Sequence, residues 1–297
     1  MRTLALAMVP HPSHRRRESL QVYRVRRAIA LTVLVVLVFG ILRLAGLAGG
    51  GGGDDEAATT SSSSTTTTVP PAPACQTGDV VTQDNPATGW QTIVVDNERA
   101  LPDWYAPPDL VNISEAGFPF TDGLAVRGLM AADLNAMREA AAANDTPLSI
   151  LAAYRSHAQQ AALYDKRVDE MGASEASGRV ARPGHSEHQL GTTIDVTSAG
   201  MDDVDQAWGA SPTGQWVASN AHKYGFLVSY PSGASGSTCF DYEPWHLRYV
   251  GREMAAEVVR SGLTLRHYLY VHHPPAGWDP AAAPATTAST VEEVAEG

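Results

Sequence analysis

Apolar residues fall into two patterns along this chain. Residues 28–42 (AIALTVLVVLVFGIL) are apolar throughout except Thr32, and Leu44–Ala48 extend the run to 21 positions interrupted by Arg43. That length as a helix crosses a hydrocarbon layer of ~30 Å. From residue 129 onward the apolar residues are periodic. Met130, Leu134, Met137 and Ala141 predict a helix over 129–143, with Asn144-Asp145 as its stop. Pro147–Tyr154 reads as a buried strand, with helix as the competing assignment, and Ser156–Met171 as a second helix ended by Gly172. Thr192–Thr197 (TTIDVT) reads as a strand, with Ile194 and Val196 on one face and Thr193, Asp195 and Thr197 on the other. A helix over 214–224, a strand over 226–230 and helices over 251–260 and 264–270 follow. Strands separated by helices, with hairpin-scale gaps late in the chain, predict an α+β domain.

Between these patterned parts lies residues 49–74 (GGGGGDDEAATTSSSSTTTTVPPAPA), which has no core-forming pattern. It reads as a low-complexity tether that spans on the order of 30 Å as a coil and about 90 Å stretched. Residues 274–297 read as a disordered tail. The expected organisation is a basic segment (1–27), an anchor (28–48), a linker (49–74), one globular domain (75–273) and the tail.

Charge orients this layout. Residues 1–48 hold eight arginines against one acid, Glu18, for a charge of +7. The whole chain carries −11, so residues 49–297 carry −18. Seven of the arginines precede the apolar run and keep their side cytoplasmic, which places the rest outside, attached to the cell membrane. A cleaved signal peptide, with Gly46 and Ala48 at its cleavage site, is the competing reading, and it too exports the remainder. The acidic domain argues against nucleic acid as a partner. The only lysines are Lys166 and Lys223. Neither follows a glycine, which excludes a P-loop, and Leu163 and Asn220 stand where a Ser-x-x-Lys peptidase needs its serine. Cys75 and Cys239 are the only cysteines, and in an exported domain they read as a disulfide, with a zinc-thiolate pair as the minor alternative.

Candidate chemistry concentrates in Pro183–Asp195 (PGHSEHQLGTTID) and Glu243–His246 (EPWH). Catalytic zinc takes three N or O ligands and keeps one position open. His188, Asp195 and His246 supply two imidazoles and a carboxylate, and Glu243 is left as general base. Gly191 lets the backbone turn between His188 and the strand. His185 forms His-x-x-His with His188 and is a rival ligand. His11, His14, His267, His272 and His273 carry no assigned role, and His222 reads as helix surface or core.

These residues carry a specific resemblance. Ser186-x-His188-x-x-Gly191-x-Thr193-x-Asp195 resembles the Ser-x-His-x-x-Gly-x-Ala-x-Asp signature of zinc D-alanyl-D-alanine metallopeptidases, and Glu243-x-Trp245-His246 resembles their Glu-x-Trp-His signature. Tyr154-Arg155-Ser156 with Gln160 resembles an upstream segment of the same family, and the flanking strings are similar to VanY-type D,D-carboxypeptidases. Thr193 departs from the signature's Ala. The resemblance covers most of residues 75–270 and implies a small antiparallel sheet with flanking helices, the LAS/hedgehog-like zinc metallopeptidase fold. It implies one Zn2+ on His188, Asp195 and His246, Glu243 as base and Arg155 as the transition-state cation. Arg155 has a second reading, as a clamp on the substrate's terminal carboxylate. Ser186, Gln160 and Trp245 are candidate substrate contacts, with Trp245 and Tyr154 equally readable as packing residues.

The function implied is a zinc carboxypeptidase that trims the terminal D-Ala of peptidoglycan stem peptides ending in D-Ala-D-Ala. The alternatives are a D,D-dipeptidase or peptidoglycan endopeptidase of the same fold and, in another class, a non-catalytic zinc-stabilised binding domain. No obligate protein partner is implied.

Overall fold

Residues 69–279 are described by the computed structural model. The apolar run at 28–48, the tether up to residue 68 and the tail beyond residue 279 lie outside the described residues. Among the described residues no helix is long and apolar enough to cross a membrane.

Two short pairings come first. Strand β1 (Val80–Val81) lies parallel to β2 (Arg99–Ala100), and β3 (Leu110–Asn112) pairs antiparallel with β4 (Ala125–Arg127). The Ala-rich segment then forms helix α1 (Ala131–Ala143) after a 3-10 turn at Gly128–Met130. Met130, Leu134, Met137 and Ala141 recur at helical spacing, so all four meet the core and are fully buried. The predicted strand is β5 (Leu148–Ala152). Helix α2 (His157–Met171) starts at a capping box: Ser156 Oγ accepts from the Gln159 backbone N–H, and the Gln159 side chain accepts from Ser156 N–H. Short helix α3 (Ala173–Ala176) follows it.

The sheet that carries the chemistry is completed by β6 (Thr193–Ser198), β7 (Phe226–Val228) and β8 (His246–Tyr249). Its order is β5-β6-β8-β7, antiparallel throughout. Between β6 and β7 lies α4 (Pro212–Asn220), extended by a 3-10 turn to Tyr224. Between β7 and β8 lies α5 (Ser235–Thr238), and α6 (Arg252–Ser261) and α7 (Leu265–His272) close the domain. Ile194 and Val196 of β6 share one core with α1 and with Leu247 of β8, as their alternation requires. The other face of β6 is more enclosed than its polar pattern predicted: Thr193 and Thr197 are also fully buried, and only Asp195 keeps partial exposure. The strand is covered on both sides, which the alternation of a half-buried strand does not reveal.

Before β1 the chain runs as a strap against α7. His267 Nε2 donates to the Pro70 carbonyl (2.7 Å), and Arg266 Nη1 donates to those of Pro73 (2.9 Å) and Ser237 (3.0 Å). Arg266 also pairs with buried Asp96 (2.7 Å), which accepts a further bond from Tyr270. The predicted disulfide Cys75–Cys239 locks the strap to the segment between α5 and Glu243, joining residues 164 positions apart. At the other end Trp278 packs edge-on against Tyr270, ring centroids 4.9 Å apart.

A cross-link over so long a loop restricts the unfolded chain strongly. Replacing both cysteines by serine should lower unfolding stability by about 2–5 kcal/mol, read as a lower urea midpoint. An unchanged midpoint would mean that the strap's hydrogen bonds suffice without the disulfide.

Candidate metal centre

Strand register builds the site. In the β6–β8 ladder Asp195 lies opposite His246, so a carboxylate and an imidazole project side by side from neighbouring strands. Asp195 also pairs with Ala152 at the end of β5, where the register slips by one residue. The chain just past that slip holds the third group: the Ala153 carbonyl accepts from His188 Nδ1 (2.7 Å). His188 sits in a 3-10 turn (Glu187–Leu190) capped by Ser186, whose Oγ accepts from the His188 N–H, and ended by Gly191. Gly191 has φ +71°, and a Cβ there would come within 2.8 Å of Pro107 and 3.0 Å of Arg127. A side chain there would be strained by the positive φ and would have to displace Pro107.

The donor atoms converge. His188 Nε2 lies 3.3 Å from Asp195 Oδ2, and His246 Nδ1 lies 3.3 Å from Asp195 Oδ1. One ligand atom from each of the three residues falls within 4.8 Å of the others, the one such cluster among the described residues. Each imidazole has its second nitrogen occupied: His188 Nδ1 by the Ala153 carbonyl, His246 Nε2 by Glu187 Oε2 (3.0 Å). That leaves His188 Nε2 and His246 Nδ1, the nitrogens facing Asp195, as the ones available to a metal. Asp195 Oδ1 is buried without a hydrogen-bond partner. A carboxylate with an imidazole nitrogen beside each oxygen, one of those oxygens without a hydrogen bond, fits a zinc ion.

Electrostatics agree with the geometry. Burial acts against the charge on Asp195, yet His188 and His246 outweigh it and hold the carboxyl below its ordinary range. Burial lowers His188 toward its neutral form. For His246 burial acts in the same sense, but Asp195 and Glu187 outweigh it and raise the ring to about 10. A site of this kind draws a positive charge between its carboxylates.

Glu243 stands beside this cluster, its Oε2 3.6 Å from His246 Nδ1. Its backbone N–H donates to the Tyr230 carbonyl (3.0 Å), which fixes the turn into β8. Burial raises its carboxyl to about 7. Arg155, next after Tyr154 beyond β5, is desolvated, which lowers its pKa, while Asp195 and Glu243 oppose that effect. Its Nη1 donates to Gln160 Oε1 (2.9 Å), and Gln160 Nε2 donates to the Ala181 carbonyl (2.6 Å). Gln160 is 1% exposed, so it stands behind Arg155 as its support.

These groups line a cavity of about 180 Å³ walled also by Ser186, Tyr230 and Trp245. An adjoining cleft of about 570 Å³ shares Glu243 and Trp245 with it. The structure thus brings His188, Asp195, His246, Glu243, Arg155, Gln160, Ser186 and Trp245 to one cavity. Trp245 also packs against the main core. His185 does not join them. Its ring is buried between the Asp96 carbonyl (2.7 Å) and Asp79 Oδ1 (3.2 Å). Thr193, across from Arg248 in the ladder, is fully buried with its hydroxyl unpartnered. Two participants had no role assigned from sequence, although Glu187 lies within the Pro183–Asp195 cluster. Glu187 and Arg248 form a buried ion pair (2.9 Å) behind His246. An arginine within the fully buried strand HLRY was the available signal.

The family model for VanY, a D-alanyl-D-alanine carboxypeptidase, matches residues 124–252. The putative carboxypeptidase YodJ of Bacillus subtilis is 38% identical over 179 residues, 59% of this chain and 65% of YodJ. The match thus spans just under two thirds of that relative. Among solved structures, the LdcB LD-carboxypeptidase aligns with a TM-score of 0.57 and 35% identity, over 64% of this chain and 89% of that one. A zinc-bound mutant of the vancomycin-resistance D,D-pentapeptidase VanY aligns with a TM-score of 0.52 and 28% identity, over 61% and 99%.

Zinc that binds only the folded state stabilises it by about 4 kcal/mol at a thousandfold excess over its dissociation constant. Zinc added to metal-free protein should therefore raise its melting temperature, and His246→Ala should abolish the rise. An equal rise in the variant would remove His246 from the ligand set.

Proposed function

Because this chain belongs to the VanY family of D-alanyl-D-alanine carboxypeptidases, we propose that it removes the terminal D-Ala from peptidoglycan stem peptides ending in D-Ala-D-Ala. The observation that carries the reading is the convergence of a buried glutamate and a desolvated arginine on one cluster of metal donors. A structural zinc site needs neither.

In this reading His188 Nε2, the Asp195 carboxylate and His246 Nδ1 hold the zinc, and Glu243 stays off it. A zinc ion there supplies Lewis acidity and makes water a nucleophile near neutral pH. Glu243 Oε2 takes the proton of the attacking water and delivers it to the nitrogen of the departing D-Ala. Its carboxyl, raised by burial to about 7, suits both halves of that transfer. Arg155 faces the scissile carbonyl as its oxygen gains charge, where a preorganised cation favours the transition state over the ground state. Its place in the same cavity as Asp195 and Glu243 supports that role. Gln160 serves Arg155 from behind. The smaller cavity suits the departing amino acid, and the adjoining cleft the retained stem peptide.

One observation favours a second reading. The LdcB neighbour is an LD-carboxypeptidase, and its likeness (TM-score 0.57, 35% identity) exceeds that of the VanY structure (0.52, 28%). In that case the bond cut joins an L-centre to the last D-Ala of a tetrapeptide. Residues 28–48 we assign to the anchor that holds this head outside the membrane. Sequencing the N-terminus of the mature protein separates an anchor, which leaves residue 1 in place, from a cleaved signal.

Incubated with pentapeptide and tetrapeptide muropeptides, the protein should release D-Ala from the pentapeptide and stop at the tetrapeptide. Continued release to tripeptide would support the L,D reading, and no zinc-dependent release from either would sink both. Glu243→Ala should lower turnover at least a hundredfold while zinc content stays at one per chain. Parent-like turnover in that variant would dismiss Glu243 as the base.

A further inference from the structure

The geometry points to Glu187 as a positioning residue of the metal centre: its clamped carboxylate holds the His246 ring with Nδ1 turned toward Asp195. Glu187 is buried (5% exposed) and divides its two oxygens between two tasks. Oε1 accepts from Arg248 Nη1 (2.9 Å). Oε2 accepts from Ser229 Oγ (2.6 Å) and faces His246 Nε2 at 3.0 Å. Arg248, 1% exposed, is itself fixed through Nη2 by the carbonyls of Trp90 (3.0 Å) and Ile93 (2.8 Å). A rigid chain thus runs from two backbone carbonyls through Arg248 and Glu187 to the ring.

The β6–β8 register fixes the His246 backbone but not its ring. A half-turn about the Cβ–Cγ bond would put a carbon where Nδ1 now stands. The turned ring would have nearly the same shape, so packing against Tyr230, centroids 4.7 Å apart, does not choose between the two orientations. The bond from Nε2 to Glu187 opposes it. Were Glu187 only a counter-charge to Arg248, one oxygen would suffice and Oε2 could point anywhere. The other histidine of the site is held by a carbonyl, which can only accept. A carboxylate accepts and also leaves the ring a better electron donor to a metal.

This inference rests on the zinc reading of the site, and the test separates the two. Zinc affinity is measured by competition with a chromogenic chelator, beside the melting temperature of each metal-free protein. Glu187→Ala should weaken zinc tenfold to a hundredfold. A variant that melts lower than the parent yet binds zinc equally well would overturn the inference and leave Glu187 structural. Should that protein fail to fold because Arg248 is left unpaired, two double variants remove the arginine charge together with the glutamate charge. Glu187→Gln/Arg248→Leu keeps an acceptor for His246, and Glu187→Leu/Arg248→Leu does not. The first should bind zinc at least tenfold more tightly than the second, and equal affinities would overturn the inference. A parent that binds no zinc would instead overturn the reading on which it rests.

Discussion

Everything around the site follows from gathering three carboxylates at one end of a small sheet. Asp195, Glu187 and Glu243 all lie beside the buried His246 ring. Like charges so close and so shielded from water repel strongly unless cations stand among them. The protein supplies two, Arg248 behind Glu187 and Arg155 across the cavity. The space between His188, Asp195 and His246 is left for a third.

That division explains how three carboxylates differ in character. Burial pushes Glu187 up, but Arg248, with His246 and Ser229, outweighs it and holds the carboxyl at about 2. Glu243 has no arginine bonded to it, so burial dominates and raises it to about 7. One acid stays an anion that anchors a ring. The other can exchange a proton near neutral pH, as a general base must. The same contrast separates the two histidines, one held by a carbonyl and one by a carboxylate.

Much of this was legible in the residues. The helix over 129–143 followed from four apolar positions at helical spacing, and the stretch 156–171, read as a helix ended by Gly172, forms α2. His188, Asp195 and His246 stood out because two short motifs concentrated metal-binding side chains. The β6–β8 register that joins them is a long-range pairing that local pattern does not specify. His185 had the same spacing claim as His188. Only the fold separates them, since it turns one ring to Asp195 and buries the other against Asp96. The polar face of TTIDVT holds two fully buried threonines beside Asp195, an enclosure that alternation alone does not show. The Glu187–Arg248 pair stayed hidden because 61 positions lie between its members. Residues 69–127 form short strands and turns without a sustained period, and they gained their form from packing. The 28–48 run lies outside the described residues.

All of this requires one zinc between these three side chains, with Glu243 free beside it. Diffraction from zinc-soaked crystals on both sides of the zinc absorption edge would locate the ion. The expected result is a single anomalous peak bonded to His188 Nε2, Asp195 and His246 Nδ1, with the Glu243 carboxylate unbonded. A peak that recruits Glu243 or His185 as a ligand, or no peak at this position, would contradict it.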